Sequence, residues 1–302
     1  MDKGKVSVII PTYKRCQFIE RAIDSVLNQT YKNIEVIVVD DNGDGTPDRL
    51  KMLDIMKKYE SDPRILYIRN PQNLGGALAR NIGIEVANGE FITFLDDDDV
   101  YLPTKIEVQY NEMVKNDWDV SIMDGATYNS EGRLLSIKKQ KISEKPTYKE
   151  LIVAHVMYHL TNTNTFMYKA DCLKKIGAFD DISAGQEYML MLKTINAKLK
   201  FGYIPQALVA CYISDNNRIS TSEKKLKAQK IILKEKKKYF KYLTQPQKRH
   251  VLCRHHGVVF YVLLKRRKFV SALSHAFFAF LYSPKSALEL YSEYKGKLRA
   301  NI

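Results

Sequence analysis

The sequence predicts an α/β protein, a mostly parallel sheet flanked by helices, followed by a basic helical C-terminal region. Three observations predict it. Short β-branched runs alternate with stretches of helical apolar spacing through the first hundred residues, and the short connections suit strand–helix–strand units. Polar, turn-rich loops follow the strands at residues 11–15, 40–45, 70–76 and 96–99, and on a parallel sheet these collect along one edge. The charge is uneven: residues 224–268 hold 16 Lys and Arg against Glu235 alone, a balance of +15, while the whole chain of 302 residues carries +14. The remainder is near neutral, so a domain boundary is placed near residue 220, giving units 1–220 and 221–302.

Each element has its own reason. Residues 6–10, VSVII, form a buried strand that Pro11 ends, and Ile19, Ala22, Ile23, Val26 and Leu27 mark one face of a helix. Residues 34–39 are a second strand closing on the loop DDNGDG. Thr46 and Pro47 then supply an N-cap and a first-turn proline for a helix through Tyr59. Residues 65–68 make a third strand. Gly75 and Gly76 open a helix with Leu78, Ile82 and Val86 on its apolar side, ending near Gly89. The fourth strand, residues 91–95, runs into Asp96, Asp97, Asp98 and Asp99, and Pro103 opens the next helix. Further on, residues 120–127, 162–168 and 208–213 read as strands, with a hairpin turn at 130–133. An amphipathic helix carries Tyr188, Leu190, Met191, Leu192 and Ile195. Residues 222–241, 251–264 and 269–282 are helical, and Pro284 starts a last helix.

Composition narrows the classes. A hydrophobic fraction of 45% supplies a core and excludes global disorder. Cys16, Cys172, Cys211 and Cys253 lack the close spacing of zinc or redox motifs and read as reduced thiols. The start, MDKGKVSVIIPTY, passes directly into a strand rather than a cleavable leader, and residues 270–282 are too short to span a bilayer. The expectation is a cytoplasmic protein, peripheral on the inner face of the cell membrane, with residues 224–268 attracting anionic lipid. A solvated face on a capping or dimerising bundle, hence a homo-oligomer, is the plainer use of the same lysines. No nucleic acid is expected, because no binding module or aromatic-interleaved basic patch is present.

The chemistry concentrates at the four aspartates. Adjacent carboxylates repel one another, and burying them costs more. A divalent cation offsets that cost, and an oxygen-only cluster suits Mn²⁺ or Mg²⁺ completed by substrate phosphates. A solvated acidic turn capping the next helix is the alternative.

Taken in order, VSVIIPTYKR, VIVVDDNGDGT, NLGGALARNIGI and GEFITFLDDDD resemble the nucleotide-sugar half of a glycosyltransferase family 2 enzyme with a GT-A (Rossmann-like) fold. KKIGAFDDISAGQEYMLMLK resembles that family's acceptor-side motif, and together the stretches cover residues 5 to about 220. The resemblance implies an inverting transfer from a nucleotide-diphosphate sugar, a UDP-sugar for choice, to an acceptor hydroxyl. It implies that Pro11, Thr12, Tyr13 and Arg15 line the donor and that Asp41 meets the base. Arg80 reaches ribose or phosphate, Asp96 or Asp97 faces ribose or sugar, Asp98 holds the metal and Arg218 meets the diphosphate. Asp40 reads as an Asx-type turn residue instead. Glu187 falls on the position of the catalytic base, where the family carries aspartate. Gln186 also departs from the usual acidic pair. His155 and His159 have an i, i+4 spacing without an HExxH frame, so packing or acceptor contact is expected of them. Asn162, Thr163 and Asn164 stand near the cleft.

The basic C-terminal region suggests a saccharide, lipid-linked or polymeric acceptor, as in bacterial surface-polysaccharide or teichoic-acid assembly. Two competing readings remain. A nucleotidyltransferase also uses carboxylates and metal but wants a glycine- and lysine-rich phosphate loop, which VIIPTYKR is not. A sugar-nucleotide or membrane-binding module without catalysis is made thinkable by Gln186.

Overall fold

The computed structural model of the chain describes residues 1–160, 162–182, 184–213 and 223–299. It divides into two compact units: Met1–Tyr148, Leu160–Ile182 and Met189–Ser214 form the first, and Lys149–His159, Ser183–Tyr188 and Asp215–Ile302 the second.

The first unit is built on strands β1 (Asp2–Thr12), β2 (Ile34–Asp40), β3 (Ile65–Arg69) and β4 (Gly89–Phe94). Helices α1 (Cys16–Leu27), α2 (Pro47–Met56) and α3 (Gly76–Val86) connect them. β1 pairs in parallel with β2 and β4, and β2 with β3. Thr12, Asp40 and Arg69 stand level across β1, β2 and β3, so their loops leave at one height on one edge. Every residue from Val36 to Val39 is buried, as a strand covered on both faces requires. Thr46 caps α2 by accepting a hydrogen bond from the Arg49 amide at 3.2 Å, with Pro47 in the first turn.

Beyond β4 come β5 (Val100–Tyr101), α4 (Lys105–Lys115), β6 (Val120–Met123), β7 (Gly125–Tyr128) and β8 (Leu134–Lys138). Then follow α5 (Tyr148–Tyr158), β9 (Met167–Lys169), α6 (Ala170–Lys175), α7 (Gln186–Asn196), β10 (Phe201–Ile204) and β11 (Val209–Tyr212). The main sheet has the order β10-β6-β9-β4-β1-β2-β3, with β9 antiparallel between β4 and β6. A second sheet, β5-β11-β7-β8, stands beside the acidic turn.

Three sequence expectations are corrected. The strand expected over 120–127 breaks at Asp124 into β6 and β7, which belong to different sheets. Asp124 holds that corner, accepting from the Gln140 amide at 2.9 Å and the Tyr203 hydroxyl at 2.8 Å. The strand expected over 162–168 is a 3₁₀ turn, Thr163–Thr165, followed by β9. On α3 the buried face is Ala77, Ala79, Arg80, Gly83 and Ile84, while Val86 is exposed. Close approach sets this at Gly83, where a Cβ would lie 2.6 Å from Cγ2 of Ile9.

Gly202 on β10 shows the same constraint more sharply, because an added Cβ would sit 2.0 Å from Cε3 of Trp118. Gly202→Ala is expected to destabilise the fold by at least the usual overpacking cost, about 1–3 kcal/mol. Chemical denaturation of the two proteins checks this, with an unchanged midpoint as the contrary result.

In the second unit, α8 (Glu223–Lys238), α9 (Gln245–Lys265), α10 (Phe269–Tyr282) and α11 (Pro284–Arg299) follow in sequence. The Thr244 hydroxyl accepts from the Gln247 amide at 3.4 Å, and the Gln247 side chain accepts from the Thr244 amide at 2.8 Å, a capping box that starts α9. Among the described residues, no helix is long and apolar enough to cross a membrane.

Candidate active site

β4 ends in a tight turn in which the Asp99 amide donates to the Asp96 carbonyl at 3.0 Å. The turn sorts the four carboxylates alternately. Asp97 and Asp99 are buried, at 4% and 6% exposure, whereas the side chains of Asp96 and Asp98 remain 37% and 16% accessible. Asp97 accepts from the Thr12 hydroxyl at 2.8 Å and from Arg15 Nη1 at 3.2 Å. Asp99 accepts from the Tyr212 amide at 2.9 Å and from Asn164 Nδ2. Asn164 also accepts from the Asp96 amide at 2.8 Å, so one amide side chain fixes both ends of the turn. Asp96 pairs with Arg80 Nη2 at 2.5 Å, and Asp98 with Arg15 Nη1 at 2.8 Å.

Burial and the neighbouring carboxylates push Asp97 up to about 7 against the pull of Arg15, and the same causes hold Asp99 well above the carboxylate range. The corner is short of positive charge. Among the described residues no three metal-capable side chains form a ready cage. Two accessible hard oxygens from Asp96 and Asp98 nevertheless suit a cation whose remaining positions go to phosphate and water. The residues present therefore fit Mg²⁺ or Mn²⁺.

The loops on the same sheet edge carry the other expected donor residues. Pro11 and Thr12 close β1, Tyr13 is exposed, and the Lys14 amide donates to Asn42 Oδ1 at 2.7 Å. Of Asp96 and Asp97, either of which was expected to face ribose or sugar, Asp97 is the one turned inward to Thr12 and Arg15. Asp41 is buried and fully engaged: Oδ1 accepts from Asn70 Nδ2 and the Leu74 amide, each at 2.9 Å. Its Oδ2 accepts from Asn73 Nδ2 at 3.0 Å and the Gly75 amide at 2.8 Å. A carboxylate offers about four lone-pair directions, so a base edge meeting Asp41 must share one already in use. Asp40 makes the expected Asx contact, with its Oδ1 accepting from the Asn42 amide at 2.9 Å. Arg218 lies outside the described residues.

Behind the turn, the fully buried Lys105 donates from Nζ to Thr93 Oγ1 at 2.7 Å and sits 4.0 Å from the Tyr101 ring centroid. Thr93 donates onward to the Phe166 carbonyl at 2.6 Å, which ties α4 and β4 to the segment leading into β9. Burial holds the Lys105 ammonium well below its ordinary value. The unfolded chain, with a lysine near 10.4, therefore binds the extra proton across the window from the lowered value up to about 10.4. Stability must rise with pH through that window. Lys105→Met is expected to flatten this rise and to melt no lower than wild type at neutral pH; thermal melts from pH 6 to 10 check both.

In the second unit, Glu187 lies in the first turn of α7, half-buried. Gly185 enters the helix at φ +84°, and a Cβ there would meet Cδ1 of Ile232 at 2.9 Å. Tyr188 stacks on the fully buried His155 with ring centroids 4.2 Å apart, and His155 Nε2 lies 3.0 Å from the Tyr188 carbonyl. His155 is thus a packing residue. Asp180, in the first unit, pairs with Lys193 at 2.8 Å and orders its loop.

Sequence reasoning missed Arg21, which donates to the Asp98 carbonyl at 2.7 Å and stacks 3.9 Å over Tyr212. It also missed the bridging role of Asn164 and the buried Lys105. Only Asn164 carried a signal, a polar run in an otherwise apolar stretch.

The fold of the first unit is shared with known proteins. Residues 7–177 match the family described as Glycosyl transferase family 2. An uncharacterized glycosyltransferase of Methanocaldococcus jannaschii is 32% identical over 231 residues, covering 75% of this chain and 77% of its own. The Escherichia coli protein WfgD, a UDP-Glc:alpha-D-GlcNAc-diphosphoundecaprenol beta-1,3-glucosyltransferase, is 38% identical over 152 residues, covering 50% of this chain and 56% of its own. The chain spans only about a fifth of the length of the rickettsial glycosyltransferases that match it. Among solved structures, S. aureus TarS 1–349 in complex with UDP-GlcNAc superposes with a TM-score of 0.61 at 19% identity, covering 96% of this chain and 91% of that one. The chain belongs to glycosyltransferase family 2 and is a transferase enzyme of GT-A fold.

Proposed function

We propose that the protein moves a sugar, with inversion, from a UDP-sugar to an acceptor hydroxyl during assembly of a bacterial surface polysaccharide or teichoic acid. The observation that carries this reading is the alternation at the acidic turn, where Asp96 and Asp98 are accessible while Asp97 and Asp99 are buried scaffold. It leaves two accessible carboxylates, Asp96 and Asp98, to meet a cation together with donor phosphate. Further support comes from relatives: WfgD is named for a UDP-glucose donor and a diphosphoundecaprenol-linked acceptor, and TarS has been crystallised with UDP-GlcNAc.

Asp98, with Asp96, would hold Mg²⁺ or Mn²⁺, which when bound neutralises charge gathering on the departing diphosphate and is worth several kcal/mol. The chain's own groups do the rest. Arg15 keeps Asp98 in place and, being one-third exposed, is suited to a donor phosphate. Arg80 orients Asp96. Asp41 holds the 70–75 loop in the shape against which the base lies. Glu187 takes the proton from the attacking hydroxyl, and inversion follows from that single in-line displacement.

A panel of UDP-, GDP- and dTDP-sugars, each with and without Mn²⁺, tests the reading. Metal-dependent release of UDP from at least one UDP-sugar is expected. Turnover of none of them would leave a binding module without catalysis, and preference for another nucleotide would overturn the donor assignment alone.

A further inference from the structure

Helix α10 is packed inside out. Its 14 residues, FVSALSHAFFAFLY, contain no acid, lysine or arginine. The positions that face the rest of the second unit are small: Ala272 packs with Val259 and Leu263, and Ala279 with Cys253 and Leu290. The large side chains point away. Val270 is 86% exposed and Leu273 68%, and Phe269, Phe277, Phe280 and Leu281 are each more than half exposed. At 100° per residue these six fall within an arc of about 120°, one continuous apolar face. Leu288 and Tyr291 on α11 are exposed as well. A helix that turned this face to water alone would have its alanines outside and its phenylalanines within. An apolar surface so arranged marks a binding site.

The chemistry next to the face identifies the occupant. The turn entering α10 is Lys265-Arg266-Arg267-Lys268, with Lys265, Arg267 and Lys268 exposed and Arg266 facing Glu223 at 3.4 Å. A basic collar beside an uncharged aromatic face suits a surface that is anionic at its border and hydrocarbon beneath, which is a bilayer of acidic phospholipid. Spanning is excluded by length: 14 residues rise about 21 Å against a hydrocarbon core of about 30 Å. We propose that α10 lies in the plane of an anionic membrane surface, with Phe269, Val270, Leu273, Phe277, Phe280 and Leu281 seated among the acyl chains and residues 265–268 among the headgroups. The inserting element is thus α10 and not the lysine-rich α8. The inference stands apart from the transferase reading, because lipid binding is measured without any donor or acceptor.

Flotation of the full chain with phosphatidylcholine vesicles, with and without about one-third phosphatidylglycerol, tests it. Binding to the anionic vesicles is expected to exceed that to the neutral ones at least tenfold and to weaken with salt. The exposed double variant Leu273→Glu/Phe277→Glu should bind at least tenfold less, with an unchanged circular dichroism spectrum and unchanged donor hydrolysis. A second variant, Arg267→Glu/Lys268→Glu, should lose the preference for anionic lipid. Wild type that does not float, or a Leu273→Glu/Phe277→Glu variant that floats equally well, overturns the proposal. Wild type that fails to float but sediments as a dimer, with the same variant a monomer, assigns the face to a second copy of the chain instead.

Discussion

Asp98→Ala is expected to lower metal-dependent donor turnover at least a hundredfold while leaving the fold intact. The two effects separate because of where the carboxylate sits. Its side chain is partly accessible and it pairs with Arg15, itself one-third exposed, so that pair contributes at most about 1 kcal/mol. Removing a negative charge beside two buried carboxylates also relieves repulsion, since Asp98 is among the groups that push Asp97 and Asp99 upward. Stability should therefore change little in either direction. Function should not, because cation assistance to a departing diphosphate is worth several kcal/mol and each 1.4 kcal/mol is a factor of ten. Titration calorimetry with UDP, with and without Mn²⁺, gives the second readout: the metal enhancement of UDP binding seen in wild type should vanish in the variant. Unchanged turnover, or an unchanged metal enhancement, removes Asp98 from the metal site. Asp97→Asn makes the informative contrast. It touches the carboxylate that Thr12 and Arg15 grip in the interior, so its cost should appear in the melting temperature as well as in turnover.

Much of this was legible in the sequence, and the parts that were not share a cause. Local pattern announced the strands and loops of the sheet edge, the Thr46 cap and the acidic turn, because each depends on residues adjacent in the chain. The split at Asp124 did not show. Whether a strand continues or changes sheets is decided by Gln140 and Tyr203, 16 and 79 residues away, which take hold of its carboxylate. The alternation among the four aspartates was equally hidden. Four identical side chains carry no information about which faces inward; that is set by Thr12, Arg15, Asn164 and the Tyr212 amide, all distant in sequence. On α3, apolar spacing pointed to Leu78, Ile82 and Val86, but the face that is buried carries Ala77, Ala79, Arg80, Gly83 and Ile84, with Gly83 against Ile9. On α10 helical spacing alone did not show which residues face outward: Ala272 and Ala279 are buried and the large apolar side chains are exposed.

Glu187→Gln should reduce transfer to an acceptor by about 10²–10⁴-fold, the usual contribution of a positioned general base. UDP-sugar binding and the melting temperature should be preserved. Glutamine keeps the length and shape of glutamate, and the charge it removes lies in the first turn of α7, where an acidic residue is worth only about 0.3–1 kcal/mol to the helix. The rest of the entry to that helix is untouched: Gly185 still turns at φ +84° against Ile232, and Tyr188 still stacks on His155. A large loss of rate with no loss of stability can then only be chemical. Glu187→Asp sharpens the argument. It keeps the charge but withdraws the carboxylate by one methylene, so a base should retain part of its rate and a helix-capping acid nearly all of it. If Glu187→Gln transfers at close to the wild-type rate, the proton goes elsewhere and Glu187 is a helix-start residue. If Gln and Asp variants both lose transfer but Asp loses less, and both bind donor normally, the carboxylate acts on the acceptor hydroxyl.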